Sequence, residues 1–207
     1  RTHTGNVTIN GTWTNNTVNA PVNFGGDLTH NTGGTFTSGT GLHTFVNAAQ
    51  ILGTVATTTF SGDVTANNNL TIGKTAGTAV AVTGVFTVTG NLTLTTGNLS
   101  LANTVNVTGT TSIAASQTLS HITSANLRTH TGNVTINGTW TNNTVNAPVN
   151  FGGDLTHNTG GTFTSGTGLH TFANAAQILG TAATTFSGAV TANNNLTISK
   201  GAAGTAV

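Results

Sequence analysis

The chain is written in short runs where apolar and polar residues alternate, each run broken by Gly or Asn. In "NVTINGTWTNN" (6–16), Val7, Ile9 and Trp13 fall on one side of an extended backbone and Thr8, Asn10 and Thr12 on the other, because strand side chains alternate with a period of two. The plan recurs in "VNFGGDLTHN" (22–31), "TTFSGDVTANNNLTI" (58–72), "VAVTGVFTVTGNLTLTTGNLSL" (80–101) and "TVNVTGTTSI" (104–113). Val80, Val82, Phe86 and Val88 share a side, as do Leu92 and Leu94, then Leu99 and Leu101. Such runs predict many short β-strands joined by tight turns.

A longer rhythm lies above this one. The first forty-five residues, from Arg1 to Phe45, return unchanged from Arg128 to Phe172. Further on the copies stay in step through two compensating length changes: "TVATTTF" (54–60) becomes "TAATTF" (181–186), and "KTAGTAV" (74–80) becomes "KGAAGTAV" (200–207). Both read as adjustments of surface turns. The organisation expected is one full repeat over 1–127 and a partial second over 128–207, a window of a longer repetitive chain.

Alternating strands can build a sandwich, a barrel or a solenoid, and three features favour the solenoid. Self-similarity runs through the whole chain, as it does where stacked coils contact only their neighbours. Asn clusters such as Asn15-Asn16 and Asn67-Asn68-Asn69 sit beside strands, where amides of successive coils can bond in ladders. Charge is scarce: four Lys or Arg and three Asp in 207 residues, or 3% charged, against about 25% in ordinary soluble domains. Aligned like charges one coil apart would repel, whereas columns of Thr, Val and Asn do not. The expected fold is therefore all-β, an open-ended parallel β-helix (β-solenoid) of tandem ~127-residue repeats. Glycines at Gly11, Gly26, Gly62, Gly84, Gly109 and Gly138 mark uneven steps. Six coils of roughly twenty residues, each rising ~4.8 Å, would advance the axis by roughly 29 Å per unit. The long Gly26–Gly62 interval holds either an extra coil or a projecting loop around 32–45.

The stretches "GNLTLTTGNLSLANTVNVTG" (90–109) and "GNVTINGTW" resemble the repeats of filamentous-haemagglutinin-type and autotransporter-like bacterial surface proteins. That resemblance implies a parallel β-helix, an extracellular or cell-surface address after secretion, and service as a stalk or fibre. The absence of Cys and Met fits the same address and excludes disulfides, thiol nucleophiles and sulfur metal sites.

Candidate chemistry is thin. A two-carboxylate hydrolase needs a pair of acids, yet a unit carries only Asp27 and Asp63, and Asp63 becomes Ala189 in the second copy. An enzyme is not expected, nor a catalytic residue, cofactor or metal ion. His3, His30 and His43 recur as His130, His157 and His170, with His121 between the copies, at spacings unlike a metal motif. They read as polar residues on a strand face or at a turn. Net charge of +1 and scattered Lys74, Lys200, Arg1 and Arg128 argue against nucleic acid, and no apolar run is long enough to span a membrane. The "GGD" at 25–27 is too isolated for a calcium-binding β-roll.

What remains is a structural role. Trp13, Phe24, Phe36, Phe45, Phe60 and Phe86, with Trp140, Phe151, Phe163, Phe172 and Phe186, are the candidates for core stacking between coils. The partner expected is the chain itself, end to end and side by side, as the shaft of a surface filament, sheath or adhesin. One alternative is an adhesin module meeting surface glycans through 32–45 and 159–172. The other is an ice-binding solenoid, disfavoured because its Thr-x-Thr pairs are irregularly spaced and enclose large residues.

Overall fold

A computed structural model describes residues 1–15, 19–123, 126–142, 146–201 and 206–207. Asn16, one member of the Asn15-Asn16 pair, lies outside the described residues. The chain is an all-β, parallel, open-ended solenoid of about nine coils, with no helix among the described residues. Accordingly, none of the described residues forms a helix long and apolar enough to cross a membrane.

Each coil has three faces. In the second coil these are Val22–Phe24, Leu28–His30 and Thr35–Thr37; in the third they are His43–Phe45, Ala49–Gly53 and Thr57–Phe60. First-face strands stack into one ten-stranded sheet and second-face strands into another. The third face is a two-stranded sheet followed by a six-stranded one. On the first face a three-residue strand turns its outer two residues inward and its middle one outward, as with buried Val22 and Phe24 around Asn23. Third-face strands such as Thr12–Thr14 do the reverse, with Trp13 turned in between two exposed threonines. Period two has therefore to be read strand by strand, with each corner resetting the phase.

Following one outward column counts the coils. Thr2 pairs with Asn23, then in order Thr44, Thr65, Thr87, Asn106 and Thr129. Thr129 is the Thr2 of the second copy, so one unit is six coils. The sheets cross the junction between copies without interruption, Val105 pairing with Arg128 and Thr111 with Val134.

The glycine steps are uneven because the marker glycines stand at different corners. Gly26 and Gly109 lie between the first and second faces, Gly62 and Gly84 ahead of the first, and Gly11 and Gly138 ahead of the third. The Gly26–Gly62 interval holds a coil boundary. Thr35–Thr37 closes one coil and His43–Phe45 opens the next, so 32–45 is built into the wall rather than projecting from it. Its counterpart 159–172 contains the equivalent strands Thr162–Thr164 and His170–Phe172.

The corner after the third coil's second face leaves no room for a side chain. Gly53 ends a second-face strand at φ +118°, and a Cβ there would overlap the carbonyl oxygen of His30 one coil below; Gly180 repeats the arrangement over His157. The first length change falls just beyond this corner. Its effect stays at the turn: Thr184 N–H donates to the Ala206 carbonyl at 3.1 Å, and Phe186 keeps the ring contacts that Phe60 makes. In the first copy Thr57–Phe60 is a strand paired with Ala79–Val82, of which the second copy contains only Ala206 and Val207, so 183–186 lacks a full partner strand.

Candidate functional site

For a solenoid the working part is the interior that binds coil to coil. Phe24, Phe45, Phe60, Phe86, Trp140, Phe151 and Phe172 are fully buried, while Trp13, Phe36, Phe163 and Phe186 are partly buried against the same core. Phe24 stacks on Phe45 with centroids 5.1 Å apart, as Phe151 stacks on Phe172 at 5.3 Å. Phe36 meets Phe60 edge-on at 5.3 Å, and Phe163 meets Phe186 at the same distance. The ring packing of the first copy is thus rebuilt in the second, length change included. Such pairs add about 0.5–1.5 kcal/mol each beyond burial.

The aromatic stack is not continuous. Phe86 sits between Val64 and Val105 in its column, and the coils around it are filled by residues such as Val88, Leu94, Leu99 and Val107. Phe and Trp thus fill the first three coils of the unit and return in the fifth at Phe86, while the fourth and sixth coils have none.

Polar residues also enter the interior, which corrects the reading of the histidines. His30, His43, His121, His130, His157 and His170 are buried, pointing into the lumen rather than lying on an outer face or at a turn. The signal was present in the triplets Leu28-Thr29-His30 and His43-Thr44-Phe45. Once Leu28 and Phe45 face inward, period two carries each histidine inward with them.

Their contacts fall into three sets. His43 Nε2 donates to the Ser38 carbonyl at 2.9 Å, and His170 to that of Ser165 at 2.8 Å. His30 Nδ1 lies 3.1 Å from Thr58 Oγ1, to which Lys74 Nζ also donates at 3.0 Å. This is repeated by His157, Thr184 and Lys200, at 3.3 and 2.8 Å. At the junction between copies, His130 Nδ1 is 2.8 Å from Thr111 Oγ1. Trp140 there packs 4.9 Å from both His121 and His130. Fully buried Arg128 gives its guanidinium to the carbonyls of Asn126 and Thr123.

No carboxylate reaches this interior. Desolvation pushes His130 down to about 3 and His43 below its ordinary value. His121 is driven well below its own, first by burial and then by the charges of His130 and Arg128. For His30 the cause is burial, with Lys74 adding to it; Lys74, Lys200 and Arg128 are likewise lowered by burial. The lumen is thus built for neutral imidazoles and is acid-labile by construction. Among the described residues no three His, Cys, Asp or Glu side chains come together to hold a metal ion.

Lys74 gives a direct test. It is fully buried, with its ammonium bonded to Thr58 Oγ1. Because burial lowers its folded pKa, the unfolded chain binds more protons between that lowered value and ~10.4, and stability rises with pH across that window. Lys74→Met is expected to stabilise the chain at pH 7 by about 1–3 kcal/mol. The variant is also expected to flatten the alkaline rise, as denaturation at pH 7 and pH 10 would show.

The acidic residues act at the corners. Asp27 N–H donates to Asn6 Oδ1 at 2.9 Å, and Asp27 Oδ1 in turn accepts the N–H of Gln50 at 2.8 Å. Asn69 and Asn91 continue this corner by accepting the N–H groups of Asn91 and Thr110, each at 2.8 Å. Amide stacking occurs in Asn31 Nδ2 to Asn10 Oδ1 at 3.0 Å, repeated by Asn158 and Asn137 at 2.8 Å. Asn15, by contrast, turns inward and donates to the carbonyls of Ala20 and Ser38. The bonds of Asn6, Asp27, Asn69, Asn91 and Asn15 engage backbone groups at the bends, whereas the Asn31–Asn10 and Asn158–Asn137 bonds join side chains of successive coils. No family model, curated protein or solved structure matches this chain.

Proposed function

We propose that the chain is a length of shaft from a secreted bacterial filament, sheath or adhesin of the filamentous-haemagglutinin type. Its function is to repeat. The observation that carries this reading is the junction: the last coil of one unit and the first of the next join through strand pairs on all three faces, Asn106 to Thr129, Ser112 to Thr135 and Leu119 to Trp140. They enclose Arg128, His121, His130 and Trp140 between them. A unit's two ends are therefore complementary, and units in series need no cap until the last.

The exterior supports lateral packing. With Lys74 buried, the first unit's outer charges are Arg1, Asp27 and Asp63, on a surface otherwise rich in Thr and Asn. Few like charges hold sister shafts apart. The phrases of 90–109 support the extracellular address through their resemblance to surface-protein repeats. A glycan-binding module would make contact through 32–45 and 159–172, segments that contribute wall strands. Immunogold microscopy of the source cells with an antibody to this chain is expected to label extended filaments outside the cell. Label confined to the cytoplasm or to compact particles overturns the reading.

A further inference from the structure

The third face is unlike the other two. In the three-residue third-face strands only the middle residue points inward, so the flanking residues stand outward as two parallel columns. The four-residue strands Thr57–Phe60, Ala79–Val82, Asn98–Leu101 and Thr118–His121 turn their second and fourth residues in and their first and third out. Thr12 and Thr14 pair with Thr35 and Thr37; Thr139 pairs with Thr162, and Thr141 with Thr164. Thr118 and Ser120 extend these columns below Thr139 and Thr141. The bulky neighbours Trp13, Phe36, Trp140 and Phe163 all project inward, so they do not interrupt the surface. Unequal sequence intervals are absorbed at the corners, so paired strands keep their register; between the two threonine blocks the outward positions are Thr57 and Thr59, then Ala79 and Ala81, then Asn98 and Ser100.

Geometry and chemistry coincide here. Residues i and i+2 of a strand are about 6.7 Å apart and neighbouring strands about 4.8 Å, giving a rectangular net of threonines. A threonine node carries a methyl and a hydroxyl, whereas Ser120 carries a hydroxyl alone. Corner threonines spend their hydroxyls on the wall, as Thr32 does with Thr54 at 2.9 Å and Thr83 with the Ser61 carbonyl at 3.0 Å. Among the described residues, the hydroxyls of Thr12, Thr35, Thr37 and Thr162 make no such bond. No charged side chain stands in these columns. The first face offers a single outward column, and the second is broken by Leu52 and Leu179.

From this net we infer that the third face binds ice through its two threonine blocks, around 12–37 and 139–164: two uncharged columns whose repeats approach those of oxygens on a prism plane of the crystal, with methyls resting in the lattice and hydroxyls joining it. The inference does not depend on the shaft reading, because a rod can form whether or not one wall binds ice.

Thermal hysteresis and ice-recrystallisation inhibition of the 207-residue chain test it. The wild type is expected to show a hysteresis gap and to shape growing crystals. Thr35→Lys with Thr162→Lys is expected to abolish both, while Thr44→Lys with Thr171→Lys on the first face leaves them intact. Thr35→Tyr with Thr162→Tyr blocks the net without adding charge and should match the lysine variant, circular dichroism showing that each variant folds. Absence of hysteresis in the wild type, or equal loss from both faces, overturns the inference.

Discussion

Acidification from pH 7 to pH 4 is expected to unfold this solenoid. His130 is buried and held down to about 3, whereas an unfolded histidine titrates near 6.5. Between those values the unfolded chain binds the proton and the folded chain does not. Stability is then complete above pH ~6.5 and is lost as pH falls toward ~3, by about 5 kcal/mol for His130 alone. His30, His43 and His121 are shifted in the same direction. Set against a typical total of about 5–15 kcal/mol, a loss of this order is a large part of the stability. Thermal melts by circular dichroism from pH 8 to pH 3 should show a steep fall below 6.5. His121→Phe with His130→Phe should move the acid midpoint to lower pH, and a stability flat across this range would contradict the buried, neutral assignment.

Trp140→Ala is expected to cost about 3–5 kcal/mol, the usual range for removing a large buried ring. The ring is fully enclosed by His121 and His130 on one side and by Phe151 and Phe163 on the other, at 4.9 to 6.3 Å. Trp13 supplies an internal control. It occupies the same forty-five-residue sequence and meets Phe24 and Phe36 in the same way, at 6.1 and 6.4 Å. Yet it belongs to the first coil of the chain and is only partly buried. Trp13→Ala should therefore cost less than half as much, the difference measuring what a preceding coil contributes. Urea denaturation of the two variants makes the comparison; equal losses would mean that the junction does not seal the ring.

Much of the wall was legible in the sequence, and most of the interior polarity was not. Alternation in "GNLTLTTGNLSLANTVNVTG" and the repeated opening phrase led directly to a parallel solenoid. The six-coil unit emerged at the right number although the marker glycines stand at three different corners. Period two cannot say which strand phase follows a corner, so Thr12-Trp13-Thr14 and Val22-Asn23-Phe24 carry opposite senses that only the closed coil reveals. The same gap hid the double column of threonines, whose intervals look irregular until the corners take up the difference. Arg128 and Lys74 were hidden for another reason: ordinary preference places such residues outside. Their inward position follows from the triplet Arg128-Thr129-His130 and the strand Leu70–Lys74, read in register with buried neighbours.

The most direct test of the account is the contour length of chains carrying one, two and four consecutive 127-residue units, measured on single particles by cryo-electron microscopy. If repetition builds one continuous shaft, every added unit lengthens an unbranched rod of constant width by roughly 29 Å, six coils at ~4.8 Å. Particles that instead gain width, or that appear as separate beads joined by linkers, would contradict it.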